Sequence, residues 1–244
     1  MYKNYFLIFS FSIISFTCFS QNSTKSEIYS WYDNLIGIEN TSLFRGIEYV
    51  EEHRMINEKH KFFEVNEFQN GKVTYNGQLF SNVPLKFNIY DDVLIVNLQQ
   101  EKRNSFFQLF SDKVNDFQIN DHKFKYLKSS DNTDVQGFYE VISEQGDFKI
   151  FKKHSKKRKE IRDRNVAYTE FRSANPDYIF QFEDEFFDLD NRRDLFSQFP
   201  NQKKEIRGFY RKYRKQSRDK PDIFMKNLAR EMNTLLTATN STEE

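Results

Sequence analysis

The chain has four histidines, a few acidic runs and two dense basic segments, and any chemistry it performs must draw on these. His53 and His60 stand seven residues apart, two helical turns or roughly 10 Å, too far to share a metal ion directly. A metalloprotease helix would space two histidines by four with a glutamate between them. His122 and His154 are isolated along the chain, and all four read as surface histidines. Asp91-Asp92 and Glu183-Asp184-Glu185 fall between apolar runs, where solvated turn residues belong. Neither run belongs to an alternating acidic loop of the calcium-binding kind. Ser217 to Lys220 spells S-x-x-K but has no S-D-N or K-T-G companion. No nucleophile elbow and no glycine-rich phosphate loop is present, and seven glycines in all leave little scope for one. The pattern calls for no catalytic residue, cofactor or metal. Only carboxylates brought together by the fold escape this test.

Residues 152–164 hold eight basic and two acidic side chains, and residues 201–220 hold nine and two. Lys152, Lys153, Lys156, Lys157, Arg158 and Lys159, with Arg211, Lys212, Arg214 and Lys215, are the candidates for contact with an anionic surface. The plainer reading is a solvated face. Interleaved Phe209, Tyr210 and Tyr213 would suggest nucleic acid in a cytosolic protein. Here they fall on one apolar helical face, and the N-terminus points away from the cytosol.

That N-terminus has Lys3, an apolar core from Tyr5 to Phe16, and Cys18-Phe19-Ser20, a small-x-small end. This is the pattern of a secretory signal peptide over residues 1–20, cleaved before Gln21. The apolar run falls short of the roughly 20 residues a membrane-spanning helix needs, so no transmembrane helix is expected in the mature chain. Lipid attachment through Cys18 is the alternative, but Ser15 and Phe16 break the usual lipoprotein pattern. Cys18 is the single cysteine, so a chain cleaved after Ser20 has no disulfide, thiol nucleophile or thiolate metal site. The expected location is the periplasm or the outer membrane surface. Export leaves an envelope protein or anionic lipid headgroups as partners and removes nucleic acid.

The elements that must position these residues follow from the turns. Asn76-Gly77 in "GKVTYNGQLF" marks a tight hairpin. Val83, Leu85, Phe87 and Ile89 then alternate, and "VLIVNL" after Asp91-Asp92 suits a central strand. Pro84 in the alternating stretch argues for a strand start or an edge. Further hairpins are expected around Asn120-Asp121, Glu144-Gln145-Gly146 and Glu183-Asp184. Roughly ten strands with short connections predict a mainly β, α+β fold. Its sheet is antiparallel, as a meander, an open roll or a barrel. With 28 Phe and 13 Tyr in the chain, an aromatic core is feasible.

After Pro200 the period changes. Asn201 is the predicted cap of a helix carrying Ile206, Phe209, Tyr210 and Tyr213 on one face. Pro221 opens a second helix, with Phe224, Leu228, Met232, Leu235 and Leu236 in line, so that the two form a C-terminal hairpin. The expected organisation is thus a mixed segment over 21–70, a β body over 71–190, a helical segment packed on it over 191–236 and a flexible tail over 237–244. Helices are also expected over 27–37 and 47–56.

The stretches "GKVTYNGQLFSNVPLKFNIYDDVLIV", "GFYEVISE", "LFSQFP" and the following "KKEI" resemble a recurring group of exported proteins from Bacteroidota-type bacteria. The likeness covers about 38–236 and lies in turn and strand signatures. It implies an envelope or secreted location and a β-rich body, and it brings no catalytic residues with it. The leading expectation is therefore a non-catalytic binding or scaffolding module of the cell envelope. Two others stay open: a hydrolase-like enzyme with a dispersed carboxylate and histidine site in the β body, His122 among its candidates, and a carrier of a lipid-like ligand.

Overall fold

A computed structural model describes residues 41–56, 58–100, 103–129, 135–163 and 166–240. The apolar N-terminal segment and the helix expected over 27–37 lie outside the described residues.

The turns fall where the small and amide side chains stand. β2 (Gln69–Tyr75) and β3 (Gln78–Asn88) are joined through Asn76 and Gly77, with φ of 50° and 77°. Both residues lie in the left-handed region that asparagine and glycine tolerate best. Asp92, φ 55°, turns the chain into β4 (Val93–Gln100), and β5 (Arg103–Gln108) follows. Asn120, φ 52°, joins β6 (Val114–Ile119) to β7 (His122–Lys128). Gly146, φ 79°, lies between β8 (Gln136–Ser143) and β9 (Lys149–Lys153). Glu183 and Asp184 turn β12 (Asp177–Phe182) into β13 (Glu185–Asp188).

These strands form one open antiparallel sheet. With the short β1 (Ile47–Glu48), its order is β1-β5-β4-β3-β2-β6-β7-β8-β9-β12-β13. Two meanders are thus laid side by side, because β6 returns to pair with the free side of β2. The sheet does not close: of the forms expected, the barrel is excluded. A separate ribbon pairs β10 (Lys156–Asp163) with β11 (Val166–Ser173).

The period-two pattern becomes one buried face. Val83, Leu85, Phe87 and Ile89 are all buried, joined by Val73, Tyr75, Phe117 and Phe124. Phe117 and Phe124, paired in register, stack 4.7 Å apart, the offset geometry aromatic pairs favour. Pro84 corrects its expectation. It lies inside β3, opposite Asn70 of β2, one residue before the pairing with β4 begins at Leu85. The β2–β3 register shifts beside it, between Gly71 and Lys72.

The second half of the sheet is covered by helices. After α1 (Arg192–Gln198) come α2 (Lys203–Lys212), α3 (Arg214–Asp219) and α4 (Pro221–Asn240). α1 opens on a capping box, Asn191 and Asp194 satisfying one another's backbone N–H groups. α2 is capped at Gln202 rather than Asn201, with no side-chain capping bond. The two predicted stripes meet as expected. Ile206, Phe209, Phe224, Leu228 and Met232 pack with Phe148 of the β8–β9 connection and Phe180 of β12, and Tyr210, Tyr213, Leu235 and Leu236 flank them. Asn233 fastens α4 to the β8–β9 turn: its Oδ1 accepts from Phe148 N–H, and its Nδ2 donates to the Gln145 and Phe148 carbonyls. Residues 237–240, expected as tail, continue this helix, and Thr237 Oγ1 donates to the Asn233 carbonyl.

The helix expected over 47–56 is not formed. The segment is extended, with Ile47 opposite Gln108 of β5 and Met55 bridged to Thr169 of β11. Edge pairing overrides a helical apolar spacing here.

Candidate functional site

A buried polar network lies where the second meander begins. Antiparallel pairing puts Glu140 of β8 opposite Phe124 of β7 on one side and Lys152 of β9 on the other. Neighbours on those strands can therefore reach its carboxylate. His122 Nδ1 lies 2.5 Å from Glu140 Oε1, and His154 Nε2, just past β9, lies 2.7 Å from Oε2. Lys152 Nζ stands 3.7 Å from Glu140 and 2.9 Å from Asp222 at the start of α4, which in turn accepts from Tyr178 O–H at 2.6 Å. Glu64 holds the far nitrogen of His122 at 3.2 Å. The Phe63 ring meets both imidazoles edge-on, at 5.1 and 5.2 Å.

Burial pushes the Glu140 carboxyl up, but the hydrogen bonds from His154 and His122 and the charge of Lys152 outweigh it and bring it to about 2. The group thus stays ionised through the ordinary pH range. With both carboxylate oxygens already engaged and Glu140 only 6 % exposed, the network ties β7, β8, β9 and α4 together. The clefts described below are lined by other residues. Among the described residues no group of three or more His, Cys, Asp or Glu is arranged to hold a metal ion.

The histidines are not all surface groups. His60 is buried, and its Nδ1 accepts from Phe62 N–H at 3.2 Å. His53 lies against the rings of Phe171 and Tyr90. Asp92 likewise departs from the solvated turn residue expected. It accepts from Lys153 at 2.7 Å and from Phe138 N–H at 3.1 Å. Glu183, Asp184 and Glu185 are exposed at their hairpin turn, as expected.

The ten basic candidates divide into two groups. Lys152, Lys153 and Lys156 turn inward. Lys152 and Lys153 make the ion pairs given above, and Lys156 donates to the carbonyls of His60 and Phe62 at 2.6 and 2.7 Å. Burial lowers the Lys156 ammonium to about 8. The unfolded chain therefore binds this proton more tightly than the folded one, and stability rises as pH climbs from about 8 toward the ordinary lysine range. Allowing for solvent screening, that gain is about 1 kcal/mol. Urea unfolding across this range reads it as the difference between wild type and Lys156→Met, whose curve lacks the rise.

Lys157, Arg158 and Lys159 are exposed on β10, Arg158 on the opposite face from the other two, and Arg211, Lys212, Arg214 and Lys215 are exposed on α2 and α3. On the ribbon, Lys157 stands directly opposite Arg172, a like-charge pair that costs stability. Lys159 stands opposite Glu170, but that carboxylate is held by Lys59 at 2.7 Å and Arg172 at 3.0 Å. Among the described residues, Glu160 is the carboxylate that approaches Arg158 and Arg162, at 3.4 and 3.7 Å.

Two clefts accompany these surfaces. One, of about 1020 Å³, opens between the β8–β9 turn and the face of α4 from Lys226 to Ala238, with Lys226, Arg230 and Asn233 on its wall. The other, of about 460 Å³, lies at the β1–β5 edge and is walled by aromatic side chains around Lys86. Sequence reasoning passed over Glu64, Glu140, Asp222 and Lys86. For Glu140 a signal exists: a glutamate inside the apolar strand "GFYEVIS" needs a charged partner once both faces are covered. No protein family, curated protein or solved structure matches the chain.

Proposed function

We propose that this is an exported, non-catalytic binding module that docks on anionic lipid headgroups of the cell envelope through the outward face of the β10–β11 ribbon. One observation carries the reading. Lys157 and Lys159 share one face of a strand that pairs on one side only, with exposed Arg158 on the opposite face; among the described residues Glu170 stands across from Lys159 but is held by Lys59 and Arg172, and Glu160 lies against Arg158. Cations held in this way on a protruding edge strand have more to gain from an anionic surface than from solvent. The signal-like N-terminus supplies the compartment, and the exposed cations of α2 and α3 add to the basic surface. Among the described residues no helix is long and apolar enough to cross a membrane, so the contact proposed is peripheral.

Each basic residue near an anionic bilayer contributes about 1 kcal/mol. Replacing Lys157, Arg158 and Lys159 together by glutamine therefore weakens binding to phosphatidylglycerol–phosphatidylcholine vesicles on the order of a hundredfold. Co-sedimentation measures this. Wild-type binding falls steeply as salt shortens the screening length, and neutral vesicles retain nothing. Equal retention of the triple variant contradicts the reading. An envelope protein as the true partner would show as salt-sensitive capture from envelope extracts without vesicle binding.

A further inference from the structure

We propose that the cleft at the β1–β5 edge is a binding site for an aliphatic chain ending in a single carboxylate, with the Lys86 ammonium as that carboxylate's partner. Lys86 leaves β3 between two rings, its Nζ 3.9 Å from the centre of Phe62 and 5.3 Å from that of Phe68. Aromatic faces hold an ammonium in place but do not neutralise it. Among the described residues no carboxylate lies within ion-pair distance of it. Glu51, which shares the cleft, is already committed: it accepts from Tyr49 O–H at 2.6 Å, from His53 N–H at 3.0 Å and from Lys61 at 3.0 Å. Lys61 is further balanced by Asp91 at 3.3 Å. Glu51 and Asp91 share Lys61, which leaves that set one negative charge in excess; Lys86 feels Glu51 and Glu67 through space but makes contact with neither carboxylate. Burial lowers its pKa, which an arriving anion would reverse.

The walls define the rest of the ligand. Phe68 and Phe106 stack 5.2 Å apart, Phe62 forms the floor, and Met55 and Val50 complete an apolar lining. Val50 is 70 % exposed and Phe106 37 % exposed at the rim, so apolar surface is open to water beside the half-buried Lys86 ammonium. A volume of about 460 Å³ lies in the range of small-molecule sites. One unpaired ammonium matches one negative charge. A dianion such as a phosphate monoester would leave charge uncompensated next to Glu51. The occupant that satisfies both features is a monocarboxylate with an apolar chain.

Isothermal titration calorimetry with decanoate, decanol and decyltrimethylammonium, each below its micellar concentration, tests this. The mature protein binds one decanoate, binds decanol on the order of tenfold more weakly, and does not bind the cation. Lys86→Met lowers decanoate affinity to the decanol level and leaves decanol affinity unchanged, which loss of packing alone would not do. Val50→Asp, at the solvent-facing rim, removes decanoate binding without touching the core. The triple glutamine variant of the ribbon binds decanoate like wild type, so the two sites succeed or fail separately. Equal affinity for decanoate and decanol, an unchanged Lys86→Met, or no decanoate binding overturns the proposal.

Discussion

Replacing Glu140 by alanine lowers the unfolding free energy by about 3–5 kcal/mol and the thermal midpoint by roughly 10 °C. The carboxylate is the hub on which His122, His154 and Lys152 converge. Removing it leaves Lys152 to Asp222 alone and His122 to Glu64 alone, and takes from His154 the carboxylate it bonds. Glu140→Gln keeps the shape and loses the charge, so its cost is smaller, and a His122→Ala cycle recovers a coupling energy of about 1 kcal/mol or more. Acid gives the same answer by another route. A carboxyl held at about 2 in the fold stabilises it fully above the ordinary carboxylate range, and that stability is lost as pH falls toward 2. Urea unfolding of wild type and Glu140→Ala at a series of pH values shows the two converging as pH drops. A neutral-pH difference under about 1 kcal/mol, the size of a surface pair, would show the network to be superficial.

Gly137→Ala is the second large effect, at about 3 kcal/mol or more. The residue sits at φ 113°, a backbone region essentially restricted to glycine. A methyl group there would run into the Asp92 carboxylate and the Lys153 amine, the pair that binds the β3–β4 turn to β8 and β9. Strain, collision and a broken ion pair act together. Gly208→Ala is the control, since it lies on the exposed side of α2 and an added Cβ would meet no other part of the protein within 4 Å. It raises stability by roughly 0.5–1 kcal/mol. Urea unfolding distinguishes the two, and a neutral Gly137→Ala would mean that the turn relaxes freely.

What the sequence makes legible is local. Asn76-Gly77, Asn120 and Glu183-Asp184 announce their turns because few residues tolerate a positive φ. Val83 to Ile89 and Phe224 to Met232 announce their faces because burial follows the backbone period. β10 hides for the opposite reason: in "KKRKEIRD" every position but Ile161 is charged, so no apolar alternation marks the strand. Its pairing to β11 is supplied by tertiary context, as Phe171 N–H donates to the Lys59 carbonyl. Ile47 and Val50 mislead in the other sense, being exposed at a sheet edge rather than buried on a helix. The polar network is illegible from any window, because Glu64, His122, Glu140, His154 and Asp222 are scattered along the chain and meet only after the strands pair. Lys86 likewise looks like one more solvated lysine of an alternating strand until Phe62 and Phe68 close around it.

The basic residues show how composition and geometry differ as guides. Ten candidates along the chain reduce to seven on the surface, because three are drawn inside by Glu140, Asp92 and two backbone carbonyls. The ribbon's register sets Lys157 opposite Arg172, a like-charge arrangement that folding alone would not favour and that Glu170, 3.0 Å from Arg172, offsets only in part. That local cost is what an anionic surface would relieve, and it ties the proposed docking face to a physical feature rather than to a count of lysines.

Fractionation of the producing cells, with N-terminal sequencing of the recovered chain, tests the central claim most directly. The expected result is a polypeptide beginning at Gln21, found with the envelope and released from it by high salt. Full-length chain retaining Met1 in the soluble cytosolic fraction would contradict it.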